Sequence, residues 1–120
     1  MKIFVSHSTN FNFKDELYTP LRNSELNSKH ELVLPYEEGK EVIIKDVIRD
    51  CDLVVAEVSN PDFEQGIELG WANEAYVSII CFYKPGSTVS PAIKYITESV
   101  SEYDSVENML KSITAVIEAL

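Results

Sequence analysis

The chain is short of positive charge. Ten Lys and Arg stand against twenty Asp and Glu over 120 residues, a formal charge of −10. Binding to nucleic-acid backbones rests on clustered Lys and Arg, so the composition argues against a nucleic-acid partner and for a small-molecule one. Cysteine is just as scarce. Cys51 and Cys81 lack the CxxC or Cys/His spacing of a metal or redox centre, which leaves two buried, reduced thiols and a cytoplasmic home. No apolar run approaches the ~18 residues of a membrane span, and MKIFVSHS turns polar too soon to hold the core of a secretion signal. The four glycines form neither GxGxxG nor GxxxxGKS/T, the loops that cradle nucleotide phosphates.

What the chain does have is a regular alternation of short apolar runs and helical patterns, in a length suited to one domain spanning 1–120. Apolar runs predict strands at 2–5, 31–34, 53–58, 77–83 and, weakly, 98–103. Between the first two, Asn12 is placed to cap a helix carrying Phe13, Leu17 and Leu21 on one face, with Pro20 bending or breaking it, and 23–30 reads as helix end and connection. Residues 40–50 predict an amphipathic helix, since Ile44, Val47, Ile48 and Cys51 fall at i, i+3, i+4 and i+7. After Asn60 and Pro61 a helix runs to about Tyr76, carrying Glu68 in its first turn. Its Gly66 and Gly70, one turn apart, would let sheet or ligand approach closely. Ser90 and Pro91 open a short helix, and Asp104 with Glu107 form a capping box before a stripe of Val106, Leu110, Ile113, Ile117 and Leu120. Strands alternating with helices imply right-handed βαβ units, hence a flavodoxin-like α/β/α sandwich around a five-stranded parallel sheet of order 2-1-3-4-5.

In that order the first and third strands adjoin at a topological switch point, so loops 6–12 and 59–66 flank one crevice. Polar residues gather there. Ser6, His7, Ser8 and Asn10 supply donors and acceptors, and Glu57, Asp62, Glu64 and Glu68 fall within twelve positions. Carboxylates around a dry cleft shift one another's pKa, so one can act as a nucleophile and another as an acid. Each has an ordinary reading too: Glu68 as a carboxylate favoured by the helix dipole, Asp62 as an N-cap, His7 as a cap of neighbouring backbone, Glu57 as a buried hydrogen-bonding group. Trp71 and Tyr76 read as base-stacking groups or, more simply, as core or subunit interface.

The segment AEVSNPDFEQGIELGWA resembles the core motif of the nucleoside 2-deoxyribosyltransferase superfamily, which includes the 2'-deoxynucleoside 5'-monophosphate N-glycosidases. Glu57, Pro61, Gly66, Glu68, Leu69, Gly70 and Ala72 match it. The resemblance implies an enzyme acting on a nucleoside or nucleotide without metal or organic cofactor. Glu68 would attack C1' of the deoxyribose, Asp62 would assist the departing base, and Ser6, His7, Ser8, Asn10, Glu57, Gly66 and Ser87 would contact substrate. Ser90 matches a serine that reaches the neighbouring subunit's site, which implies a homodimer or higher homo-oligomer. The sequence also departs from the motif. Phe4 stands where the family often places a tyrosine that orients the nucleophile, Ile44 falls where an aspartate is expected, and residues 6–10 replace a glycine-containing phosphate loop. Two alternatives follow: a catalytically inactive nucleotide-binding or signalling module of the same fold, or a NAD-cleaving enzyme, since IFVSHS before a helix resembles the opening of TIR domains.

Overall fold

The computed structural model describes residues 1–38 and 44–120. Five strands form one parallel sheet in the order β2-β1-β3-β4-β5, the order read from the sequence: β1 (Lys2–His7), β2 (Glu31–Val33), β3 (Leu53–Glu57), β4 (Ser78–Tyr83) and β5 (Val100–Glu102). Residue alternation along the strands divides the core into two layers. Ile3, Val5, Leu53, Val55, Ile80 and Phe82 point to one face. There they meet Leu17 just ahead of α1 (Thr19–Arg22) and Leu21 within it, Leu26 of α2 (Glu25–Lys29), and Met109 and Ile113 of α5 (Val106–Ala119). Phe4, Val54, Ala56, Ile79 and Cys81 point to the other, against Ile48 of α3 (Ile44–Arg49) and Leu69 and Ala72 of α4 (Phe63–Glu74). Phe4 is 1% exposed within this second layer, and Ile44 packs against it. Core packing therefore accounts for both departures from the motif.

Several element ends differ from the sequence reading, each for a local reason. Ahead of Pro20 the backbone widens into a π-helical turn over Lys14–Tyr18, where both the amide and the hydroxyl of Thr19 donate to Lys14 O. The wide turn relieves the clash a proline ring makes with the carbonyl four residues back, so the helix bends and continues into α1. Residues 23–30 are more than a connection, since α2 forms there around the single buried Leu26. The expected start of the third helix at Lys40 lies outside the described residues. The cap of α5 is Ser105, which accepts from Asn108 N at 3.1 Å, so Asp104 is displaced by one position from its expected role. Leu120, expected on the apolar stripe, is 64% exposed.

At the end of α4, Tyr76 takes φ +60° while Tyr76 N and Val77 N donate to Asn73 O and Ala72 O, the paired bonds of a Schellman motif. At the turn after β4, Pro85 precedes Gly86 at φ +80°, and Ser87 N closes the turn on Lys84 O at 3.2 Å, a type II arrangement that needs glycine at its third position. Both thiols are buried and free, with pKa values pushed up by burial to about 11 at Cys51 and about 12 at Cys81, so neither is a ready nucleophile. No described helix is long and apolar enough to cross a membrane.

Candidate active site at the carboxyl end of the sheet

Strands β1 and β3 run side by side to their carboxyl ends, with Ser6 opposite Ala56 and His7 opposite Glu57. Alternation then sorts the three polar side chains by face. Ser6 points to the α4 side, and His7 and Glu57 point to the side of α1 and α5.

Glu68 lies on α4 with only 6% of its surface exposed. Because α4 begins at Phe63, Glu68 is in its second turn and not its first, beyond the reach of most of the helix dipole. Across the crevice Ser6 Oγ donates to Glu68 Oε1 at 2.8 Å, joining residues sixty-two positions apart. Among the described residues no buried side-chain oxygen or nitrogen lacks a partner, and no second donor reaches this carboxylate, so Oε2 is open to the crevice. Burial pushes the Glu68 pKa up to about 7; the Ser6 hydrogen bond works against this, and Asp62 and Glu64 add to it. A carboxylate held by one oxygen, open at the other and titrating near neutrality has the features of a nucleophile or an acid–base group.

His7 is fully engaged within the chain. Its Nδ1 donates to Ser8 O at 2.7 Å, and its Nε2 accepts from the Tyr18 hydroxyl at 2.6 Å, which itself accepts from Tyr36 N at 3.2 Å. This pattern needs the neutral imidazole, in keeping with a pKa held below 6.5 by burial. Phe13 stacks obliquely on the His7 ring with centroids 4.6 Å apart, and Tyr36 lies edge-on at 5.6 Å. The half-buried Phe11, Phe13 and Tyr36 thus form an aromatic wall beside the crevice.

Glu57 is a structural junction. Its carboxylate accepts from Ser59 N at 2.7 Å, from Ser59 Oγ at 2.9 Å and from the Tyr103 hydroxyl, while Gln65 Nε2 donates to its backbone oxygen at 2.9 Å. Ser59 Oγ in turn accepts from Lys84 N, so the ends of β3 and β4 and the residue after β5 are tied together. Asp62 caps α4, its Oδ2 accepting from Gln65 N at 2.9 Å, and its charge reaches both Glu68 and His7.

The remaining candidates are placed as follows. The Ser8 hydroxyl accepts from Asn10 N at 3.2 Å, and Asn10 is exposed at the rim. Ser87 is half-buried in the type II turn, and Ser90 caps the 3-10 turn Pro91–Tyr95 through Ala92 N. Gly66 and Gly70 do not bring α4 close to the sheet, because a Cβ at either would meet nothing within 4 Å. They face a cavity of about 460 Å³ that Asp62, Phe63, Ser90 and Ile93 also line. Glu68 is not among its lining residues, so this cavity lies beside the candidate nucleophile and not over it. Among the described residues no group of His, Cys, Asp or Glu side chains is arranged to hold a metal ion.

Sequence reasoning brought Ser6, Asp62 and Glu68 to one crevice but passed over Tyr18, Tyr36 and Gln65. Tyr18 sits next to Leu17 on the first helix and Tyr36 follows the second strand, positions at which an aromatic residue carries no local signal of a site.

No protein-family model and no curated protein sequence matches the chain. Solved structures do share its architecture. The Clostridium botulinum CMP N-glycosidase BcmB is similar with a TM-score of 0.68 at 20% identity, over 95% of this chain and 99% of that one. A conserved protein from Enterococcus faecalis V583 is similar with a TM-score of 0.68 at 16% identity, over 97% of this chain and 98% of that one. At such identities the likeness defines a common fold over nearly the whole chain.

Proposed function

We propose that this protein belongs with the nucleoside 2-deoxyribosyltransferases and cleaves or exchanges the N-glycosidic bond of a 2'-deoxynucleoside or its 5'-monophosphate. The observation that carries the reading is Glu68: a buried carboxylate at the switch-point crevice, fixed through Oε1 by Ser6 and open at Oε2. Its Oε2 attacks C1', and the C1'–N bond breaks with its electron pair leaving on the base. Asp62, through the oxygen not used in capping Gln65 N, assists the departing base, which takes its proton from solvent water. The resulting glycosyl ester is opened by water in hydrolysis or by a second base in transfer, two displacements in place of one. The family motif around Gly66, Glu68 and Gly70, the shared fold with an enzyme described as a CMP N-glycosidase, and the aromatic wall suited to a planar base all support this reading.

Two finer points complete the proposal. Ser90 beside the cavity on α4 fits a dimer in which one protomer completes the other's site, and two reduced, buried cysteines fit a cytoplasmic enzyme. Incubation with deoxynucleosides and their monophosphates, followed by measurement of free base, tests the activity. Glu68→Ala should lower base release by roughly 10³-fold or more, the scale on which removal of a nucleophile acts. Release at the wild-type rate from that variant would sink the assignment.

A further inference from the structure

Among the described residues the charges that face Glu68 are of one sign. Glu64 stands one turn before it on the same face of α4, and Asp62 lies at that helix's N-terminus. Two cations on neighbouring elements are already paired. Lys84 Nζ sits 3.1 Å from Glu16 Oε1 and over the Phe11 ring, and Arg22 grips both carboxylate oxygens of Glu37 at 2.8 and 2.6 Å.

Several donors at the crevice are engaged within the chain as well. Asn10 N donates to Ser8 Oγ, His7 Nδ1 to Ser8 O, and Ser6 Oγ to Glu68. At the N-terminus of α4, where amides attract anions, the Gln65 amide serves the Asp62 carboxylate, whose own charge opposes a second anion there. The field agrees with the geometry: the charges that raise the Glu68 pKa are Asp62 and Glu64, and those that raise Tyr36 are Glu68, Glu64 and Asp62. A phosphate monoester brings a charge of about −1.5 to −2 at neutral pH into this setting.

We infer that the site, on the N-glycosidic reading proposed above, selects the uncharged 2'-deoxynucleoside over its 5'-monophosphate, because the described charges that face Glu68 are acidic groups where a phosphate would need cations. Selection rests on repulsion by Asp62 and Glu64, while the aromatic wall and Glu68 act on parts that both molecules share.

The test compares a deoxynucleoside with its own 5'-monophosphate, by kcat/KM for base release at pH 8 and low ionic strength. The nucleoside should be favoured by at least about tenfold, and added salt should narrow the ratio by screening the repulsion. The exposed Glu64→Lys exchange should narrow it by about tenfold, with Glu64→Gln between. A monophosphate used as well as or better than the nucleoside overturns the inference and leaves the glycosidic reading standing. If neither is turned over, the glycosidic reading fails, and calorimetric binding of the same pair decides the inference. Tighter binding of the nucleoside by about tenfold upholds it; equal binding, tighter monophosphate binding or binding of neither overturns it.

Discussion

Glu68 meets two opposed demands, since burial that makes a carboxylate reactive also raises the cost of ionising it. Ser6 eases that conflict through one charge-assisted hydrogen bond, worth roughly 1.5–3 kcal/mol. Ser6→Ala should therefore lower kcat by roughly ten- to a hundredfold with little change in KM. It should also move the acid limb of the rate profile, expected in the wild type below about pH 7, to higher pH; an unmoved limb would show that Ser6 does not govern the ionisation. The same pKa has a cost in stability. The folded chain holds the Glu68 proton more tightly than the unfolded chain, whose carboxyl titrates near 4.5. This group's contribution to stability is thus complete below about pH 4.5 and is lost as pH rises to about 7, roughly 3 kcal/mol in all. His7 acts in the opposite sense, its pKa being lowered, so its contribution is present above about pH 6.5 and is lost on acidification. Thermal denaturation of Glu68→Gln should accordingly show a gain over the wild type at pH 8 that vanishes near pH 4.5, and equal melting temperatures at both pH values would refute the burial cost.

At the level of elements, the chain was legible wherever its own short-range pattern decides the outcome. Apolar runs placed all five strands, and the i, i+3, i+4 pattern of Val47 and Ile48 placed α3. Ends were harder because capping turns on one side chain: Ser105 and Asp104 are neighbours with the same capability, and only backbone geometry chose Ser105. Tyr76 was read as the last residue of a helix, yet it is the left-handed residue after it, a position that favours glycine. With its side chain 96% exposed it has almost no packing to lose, so Tyr76→Gly should stabilise the protein by roughly 1 kcal/mol. Chemical denaturation checks this, and a loss of stability would mean the tyrosine makes contacts that the left-handed strain does not outweigh.

Across the whole molecule, strand order was readable because parallel βαβ units leave few alternatives, whereas the site depends on contacts that no local pattern encodes. The Ser6 to Glu68 bond spans sixty-two residues and the Tyr103 to Glu57 bond forty-six, and each exists only because the sheet places β1, β3 and β5 as it does. Hence Glu68 and Asp62 could be singled out from the motif, while the partner that holds Glu68 could not. Ser6 reaches Glu68 from two residues beyond Phe4 on the same face of β1. The most direct measurement is peptide mass mapping of the protein after an acid quench during incubation with a deoxynucleoside. A deoxyribosyl unit should be found esterified to Glu68 and be absent from Glu68→Ala; a sugar on a different residue, or base release that continues in Glu68→Ala, would contradict the central claim.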